Sequence, residues 1–222
     1  MPTISFPPCA PLAVLSLSLA CSLCMGYAGA ASLAVQLQDG AGKALADVVV
    51  YAEPDGGTMP KPMRPGSIEQ KGLKFVPLVS VVQTGSSISF PNNDKVRHHI
   101  YSFSPAKKFD QKLYSGVTAV PQVFEKAGTV VLGCNIHDKM LAYVKVVDTP
   151  YFAKSDADGT ARIELPAAGK YIVKAWHYQA VGGATAEQSV QVKAGDAPTA
   201  AAFKLALKPA GTPDAGAADA GY

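Results

Sequence analysis

Charged side chains are scarce in this sequence, and none precedes Asp39. Asp, Glu, Lys and Arg make up 17% of the 222 residues, and the formal net charge is +3. The dense basic face of a dedicated nucleic-acid-binding protein is lacking, so we expect no nucleic-acid partner. After the first 30 residues, no apolar run reaches the length of about 20 residues that spans a bilayer. We therefore expect no transmembrane segment in the mature chain.

The uncharged leader is typical of an export signal. Residues 11–25 form an apolar run that is too short for a membrane span, and Ala28 and Ala30 follow it with the spacing of a signal-peptidase site. The leader lacks Lys and Arg near its start, which departs from the usual pattern. We interpret residues 1–30 as a bacterial-type signal peptide and expect a periplasmic protein.

Cysteine is almost absent from the mature chain. Cys9, Cys21 and Cys24 fall within the leader, which leaves Cys134 as the one thiol after cleavage. A lone thiol in an oxidising compartment cannot form an internal disulfide. Three interpretations of Cys134 stay open at this point: a buried inert thiol, a disulfide between chains, or a metal ligand.

Short runs of Val, Ile and Tyr, separated by turns among the 20 Gly and 17 Pro residues, predict an all-β protein. No long helical period is present. We expect five segments after the leader: a β-hairpin over 31–54, a linker over 55–65, a first β domain over 66–148, a second β-sandwich over 149–207 that also takes in the hairpin, and a disordered tail over 208–222.

Three potential metal ligands lie within seven residues of one another in the first β domain. These are Cys134, His137 and Met140, and His98 lies upstream in the segment FPNNDKVRHHI over 90–100. Two imidazoles and a thiolate with a weak axial thioether form the ligand set of blue-copper sites. The thiolate and thioether favour Cu(I), and neutral imidazole suits both oxidation states. This pattern favours copper.

With those motifs, residues 66–148 resemble the cupredoxins, the small type 1 copper proteins that include plastocyanin and amicyanin. The resemblance implies a Greek-key sandwich with one type 1 copper per chain, held by His98, Cys134, His137 and Met140. It also implies a one-electron carrier that is not an enzyme and that meets a cytochrome, a dehydrogenase or an oxidase. Residues expected to support the ligands are Asn93, His99 and Asn135.

Two further resemblances concern the whole chain. FPNND and DTPYF together with the C-terminal strands resemble exported proteins labelled methylamine utilization protein. The stretch from Tyr151 to His177 and the early segment over 35–53 resemble the carboxypeptidase regulatory-like, or transthyretin-like, β-sandwich. Such modules commonly mediate protein contacts, and no catalytic residues are visible in this stretch.

Several alternatives accompany the copper interpretation. Zinc is a rival, although structural zinc sites usually recruit more Cys or His and rarely Met. A nucleophilic Cys–His pair would leave His98 and Met140 unexplained. At the level of function, the alternatives are a periplasmic copper carrier or sensor, and an interaction module with a structural metal. Basic residues flank the ligand segments, and they would either dock an acidic partner or form a solvated face: Lys95, Arg97 and Lys139.

Overall fold

The computed structural model describes residues 31–56, 60, 64–116, 120–137 and 139–209. The predicted signal peptide, most of the predicted linker and nearly all of the predicted tail lie outside these residues. Within them, one short 3₁₀ turn at Val181–Gly183 is the single helical element, and no helix is long and apolar enough to cross a membrane. The prediction of an all-β protein is confirmed.

The described part of the chain contains seventeen strands. In chain order they are β1 (Ala31–Asp39), β2 (Val49–Pro54), β3 (Gly66–Ser67), β4 (Glu69–Gln70), β5 (Phe75–Val76), β6 (Val79–Gln83), β7 (Ser86–Ser89), β8 (His98–Ser102), β9 (Phe109–Tyr114), β10 (Gln122–Phe124), β11 (Gly128–Cys134), β12 (Leu141–Val147), β13 (Phe152–Lys154), β14 (Thr160–Leu165), β15 (Gly169–Trp176), β16 (Thr185–Val192) and β17 (Thr199–Leu205).

The first sandwich contains a five-stranded sheet in the order β6-β12-β11-β8-β9, and a smaller sheet in the order β10-β7-β3. β12 runs antiparallel to β11 and parallel to β6. Apolar side chains from both sheets form one core, which includes Ile88, Phe90, Ile100, Phe124 and Leu132. Cys134 and Met140 belong to the same core cluster, so the predicted ligand segment is anchored in the sandwich.

The apolar run over 75–82 is divided in the structure into β5 and β6. Pro77 falls between them, and it has no backbone N–H to donate to a sheet. β5 pairs with β4, whereas β6 joins the edge of the five-stranded sheet beside β12.

The second sandwich packs the sheet β14-β1-β17 against the sheet β13-β2-β15-β16. Its core draws on residues from both ends of the chain, among them Leu33, Val50, Ile163 and Val173. β1 pairs with β14 and β17, and β2 pairs with β13 and β15. The strands of 31–54 therefore share a core with those of 149–207, while the exact domain boundaries stay a prediction.

The hairpin expected over 31–54 is not formed, because β1 and β2 lie in different sheets. The chain reverses after Asp39, but β2 then crosses to the opposite sheet. The physical reason is that β2 is buried on both faces. Val50 and Ala52 face the sandwich core, whereas Val49 and Tyr51 face the first sandwich. A strand with two buried faces reads as a continuous apolar run.

The two sandwiches meet through an aromatic and aliphatic cluster. Val79, Tyr143 and Val147 on the first sandwich pack against Val49, Tyr51 and Trp176 on the second. The rings of Tyr143 and Tyr178 are stacked, with centroids 4.8 Å apart. Lys154 Nζ also donates a hydrogen bond to Val79 O at 3.1 Å. The second sandwich thus covers part of the outer face of the five-stranded sheet.

Candidate metal centre

Adjacent strands bring the upstream histidine to the cysteine. His98 begins β8 and Cys134 ends β11, and these strands pair with Cys134 opposite Ile100. His137 lies on the turn that follows β11. The side chains of His98, Cys134 and His137 form a group in which one potential ligand atom from each lies within 4.8 Å of the others.

The distances within this group suit one shared metal ion. Cys134 Sγ lies 3.7 Å from His98 Nδ1 and 3.5 Å from His137 Nδ1. An ion with nitrogen and sulfur bonds of about 2.1 and 2.3 Å holds such ligand atoms about 3.6–3.8 Å apart. The residues present therefore fit a metal, and the soft donor Cys134 beside two imidazoles favours copper or zinc over a hard cation.

The ligand turn closes on itself through backbone hydrogen bonds. Cys134 N donates to Met140 O at 3.2 Å, and Met140 N donates to His137 O at 2.9 Å. Met140 is thereby held beside the end of β11, with its side chain 1% exposed in the sandwich core. This closed turn ends on a buried residue, which restricts the backbone that carries Cys134 and His137.

Asp94, which our sequence analysis did not single out, fixes the ring of His98. Its Oδ2 lies 2.8 Å from His98 Nε2, and the backbone N–H groups of Gly72 and Leu73 donate to the same carboxylate at 2.6 and 3.0 Å. A carboxylate accepts only, so Nε2 carries the ring proton and Nδ1 presents its lone pair towards Cys134. Such carboxylate–histidine contacts are typical of metal ligands.

These contacts also set the charge state of Asp94. Desolvation would raise the pKa of its carboxyl, but the hydrogen bonds from Leu73, His98 and Gly72 together lower the pKa below its usual value. The group is therefore a carboxylate at neutral pH. A sequence signal was available, since Asp94 lies four residues before a predicted ligand in a turn-forming segment.

The structure differs from prediction at Asn93. Its exposed side chain donates to Glu69 Oε1 at 2.6 Å and has no hydrogen bond to the cluster. The neighbouring Asn92 is buried instead, and its Nδ2 donates to Val96 O and Tyr114 O, both at 2.9 Å. Asn92 therefore shapes the turn that leads into His98, because its side chain can reach the backbone on both sides of that turn.

His99 and Asn135 join the two ligand segments through their backbones. Asn135 N donates to His99 O at 3.1 Å, which ties the residue after Cys134 to the residue after His98. The ring of His99 is directed elsewhere and forms an ion pair with Asp110 on β9. The contact between the two segments thus uses main-chain atoms, and the supporting role expected of these two residues stays a prediction.

Solvent reaches the cluster from one direction. The His98 side chain is fully buried and Cys134 is 5% exposed, whereas His137 is half-buried and Ile136 beside it is 48% exposed. Lys95, Arg97 and Lys139 are exposed on the segments around the cluster. The imidazole of His137 is thus the most accessible of the three clustered side chains.

Comparison with known proteins gives structural likenesses only. No family model and no curated protein matches the sequence. Among solved structures, a copper-containing nitrite reductase from Thermus scotoductus SA-01 matches 42% of this chain and 25% of its own length, with 22% identity and a TM-score of 0.36. This chain therefore spans only a quarter of that enzyme.

Two smaller proteins match over most of their own length. A purple cupredoxin from Nitrosopumilus maritimus is 22% identical over 36% of this chain and 98% of its own, with a TM-score of 0.33. A mutant of amicyanin in its reduced form is 18% identical over 36% of this chain and 79% of its own, with a TM-score of 0.34. The resemblance to proteins labelled methylamine utilization protein stays a prediction.

Proposed function

We propose that this protein binds one copper ion and carries single electrons between redox proteins in the periplasm. His98, Cys134 and His137 would hold the copper, with Met140 as a weak axial ligand. The observation that carries the proposal is the meeting of one thiol and two imidazole nitrogens within 4.8 Å at the end of two paired strands. Copper would supply a one-electron couple at this place.

The way the chain holds these residues supports a carrier in preference to an enzyme. His98 is fixed by Asp94, and the turn from Cys134 to Met140 is closed by its own backbone hydrogen bonds. Rigid ligands keep reorganisation small when the oxidation state changes. An enzyme needs an open position for substrate, but His98, Cys134 and Met140 are all buried.

The exposed surface around His137 supports docking of a redox partner there. The half-buried imidazole is flanked by Ile136 and by the exposed cations Lys95, Arg97 and Lys139. An apolar patch with a basic rim would steer an acidic partner and then exclude water from the contact. A cytochrome, a dehydrogenase or an oxidase with an acidic surface would suit this arrangement.

A visible absorption spectrum of the protein loaded with Cu(II) tests the proposal. Thiolate-to-copper charge transfer should give a strong colour, which C134S should abolish. H98Q should also weaken or remove the colour, whereas the matched variant H99Q should keep it, because His99 points to Asp110. A wild-type protein that binds zinc and stays colourless with copper would contradict the proposal.

A second measurement separates electron transfer from copper handling. Reversible cycling between Cu(I) and Cu(II) at an electrode, with the metal retained, supports an electron carrier. Loss of copper on oxidation, or its ready transfer to a chelator as Cu(I), would support the carrier or sensor alternative. Partner binding that survives C134S would support an interaction module with a structural metal.

A further inference from the structure

A cavity lies beside the segments that join the two sandwiches. Its volume is about 120 Å³, and it is lined by residues 64–66, residues 81–83, Ser86, Pro150 and Phe152. β6 and β7 belong to the first sandwich and β13 to the second, while Pro150 lies on the connection between β12 and β13. Both sandwiches therefore contribute to the walls. Ligand sites occur preferentially at such contacts between domains.

Two buried side chains of this cavity have an oxygen without a partner. Gln83 is 3% exposed and Ser86 is 1% exposed, and within the described residues neither Gln83 Oε1 nor Ser86 Oγ takes part in a hydrogen bond. The amide of Gln83 cannot simply turn round, because its Nε2 already donates to Pro60 O and Asp148 O, both at 3.1 Å. Ser86 Oγ can turn between three staggered positions. The cavity thus has an acceptor and a hydroxyl to pair with a bound molecule, since leaving buried oxygens unpaired is unfavourable.

The charges around the cavity favour an anion. Arg64 lines the cavity and is exposed, and its planar guanidinium suits a carboxylate. It takes part in none of the ion pairs that the described residues form. Among the described residues that line the cavity, none is acidic. A bound ammonium group would therefore lose its water without gaining a negative partner, which is costly.

The remaining walls limit the size and polarity of the ligand. Pro65, Val81, Val82, Pro150 and Phe152 present apolar surface to it. An apolar cavity of about 150 Å³ admits benzene, so a cavity of this size admits about five or six non-hydrogen atoms. The ligand must therefore combine an anionic end, a hydrogen-bond donor and a short hydrocarbon part within a very small molecule.

We propose that this cavity binds a short 2-hydroxycarboxylate, of the size of glycolate or lactate. The carboxylate pairs with the guanidinium of Arg64 and accepts a hydrogen bond from Ser86 Oγ. The hydroxyl of the ligand donates to Gln83 Oε1, and its hydrocarbon part contacts Val81 and Phe152. No covalent bond changes. The site is separate from the metal cluster and goes beyond the proposed copper function.

Binding at this place should strengthen the contact between the sandwiches. The ligand touches residues of both, and a molecule that binds only the folded state stabilises it by mass action. The midpoint of thermal unfolding should therefore rise with the concentration of L-lactate.

Titration of the isotope-labelled full chain with L-lactate tests the site. We expect saturable shifts of backbone amide signals at residues 81–86 and 151–152. R64Q and S86A should each weaken binding several-fold. Both variants are expected to fold, because Arg64 is exposed and S86A removes a buried unpaired oxygen.

Matched variants and related compounds sharpen the test. R162Q changes an exposed arginine of β14, and S87A changes the neighbour of Ser86 that points to the other face of β7, so both should bind as the wild type does. Propionate lacks the hydroxyl and L-alanine carries an ammonium group in its place, so each should bind several-fold more weakly than L-lactate.

Two results would overturn the proposal. One is the absence of saturable shifts with L-lactate, as expected if water alone fills the cavity. The other is equal binding of L-lactate and propionate, which would remove the role of the hydroxyl. The titration is carried out with and without copper, and it does not depend on the blue colour. Failure of this site therefore differs from failure of the proposed function.

Discussion

Asp94 and His98 form a partly buried hydrogen bond of 2.8 Å between Oδ2 and Nε2, and this bond turns the other ring nitrogen, Nδ1, towards Cys134. The carboxylate is in turn anchored by the backbone N–H groups of Gly72 and Leu73. The imidazole of His98 is therefore positioned by a segment outside the five-stranded sheet. The loop around residue 72 contributes to the candidate metal centre although it contains none of the three clustered residues.

Replacing Asp94 by Asn should weaken metal binding. The amide is neutral and can turn its NH₂ group towards His98, so the ring loses its fixed tautomer. Changes to residues that support metal ligands usually cost about 10–100-fold in affinity. Competition with a copper chelator measures the effect. The matched variant N93A alters an exposed neighbour and should bind as the wild type does; equal affinity in D94N would contradict the role of Asp94.

A methyl group at Gly133 should destabilise the fold, because it would lie 2.6 Å from Tyr101 Cζ and the half-buried Tyr101 ring would have to shift. Overpacking of this kind costs about 1–3 kcal/mol in the free energy of unfolding. Urea denaturation of G133A, Y101A and the double variant measures the coupling between the two sites. We expect G133A to cost much less in the Y101A background. Equal costs in both backgrounds would show that the two residues do not touch.

Lys145 should make the stability of the protein depend on pH. Burial at the contact between the two sandwiches, together with the nearby Lys174, lowers the pKa of Lys145 from 10.5 to about 8. Its ammonium lies over the Trp176 ring at 5.1 Å and 3.4 Å from Thr129 Oγ1. The folded state binds fewer protons than the unfolded state between these two pKa values, so this group makes stability rise with pH from about 8 to 10.5.

The variant K145M tests that relation. It removes the penalty of a buried charge, which for this shift is on the order of 3 kcal/mol at neutral pH. Unfolding free energies measured between pH 7 and 9 should be higher in K145M and should lose the upward slope with pH that Lys145 contributes. K204M changes an exposed lysine and should keep the wild-type slope. A K145M protein less stable than the wild type at pH 7 would contradict the prediction.

The contact between the sandwiches should make them unfold together. Trp176 is 2% exposed and packs in the cluster that joins them. Truncating a buried Trp to Ala typically costs about 3–5 kcal/mol. Calorimetry should show one transition in the wild type and, in W176A, a lower midpoint or two separate transitions. The exposed Val181 supplies a control, since V181A should leave the profile unchanged. Two transitions in the wild type would contradict close coupling.

The sequence was most informative where chemistry is local. Cys134, His137 and Met140 lie on one turn, so their spacing could be read directly, and most strands of the core followed from apolar runs bounded by turn residues. The sequence pattern does not indicate β9, because Phe109–Tyr114 interrupts its apolar residues with Asp, Gln and Lys, and its pairing with β8 makes it a strand.

What the sequence did not reveal depends on contacts between distant segments. Asp94 is anchored by the turn at Gly72 and Leu73, which lies more than twenty residues earlier in the chain. The predicted hairpin of β1 and β2 was wrong because strands that are close in sequence were assumed to pair. β2 instead packs against apolar residues on both of its faces. The contact of the Tyr101 ring with the backbone of β11 depends on Gly133, which lies opposite it on the neighbouring strand.

The pairing of β2 with β13 has a consequence for engineering. Tyr51 lies opposite Phe152, so the chain leaves the second sandwich and returns to it on adjacent antiparallel strands. A short turn could replace everything between them and leave that sandwich topologically complete. Such an excision would expose Val49, Tyr51 and Trp176 to solvent. The shortened protein is expected to self-associate unless those three side chains are made polar.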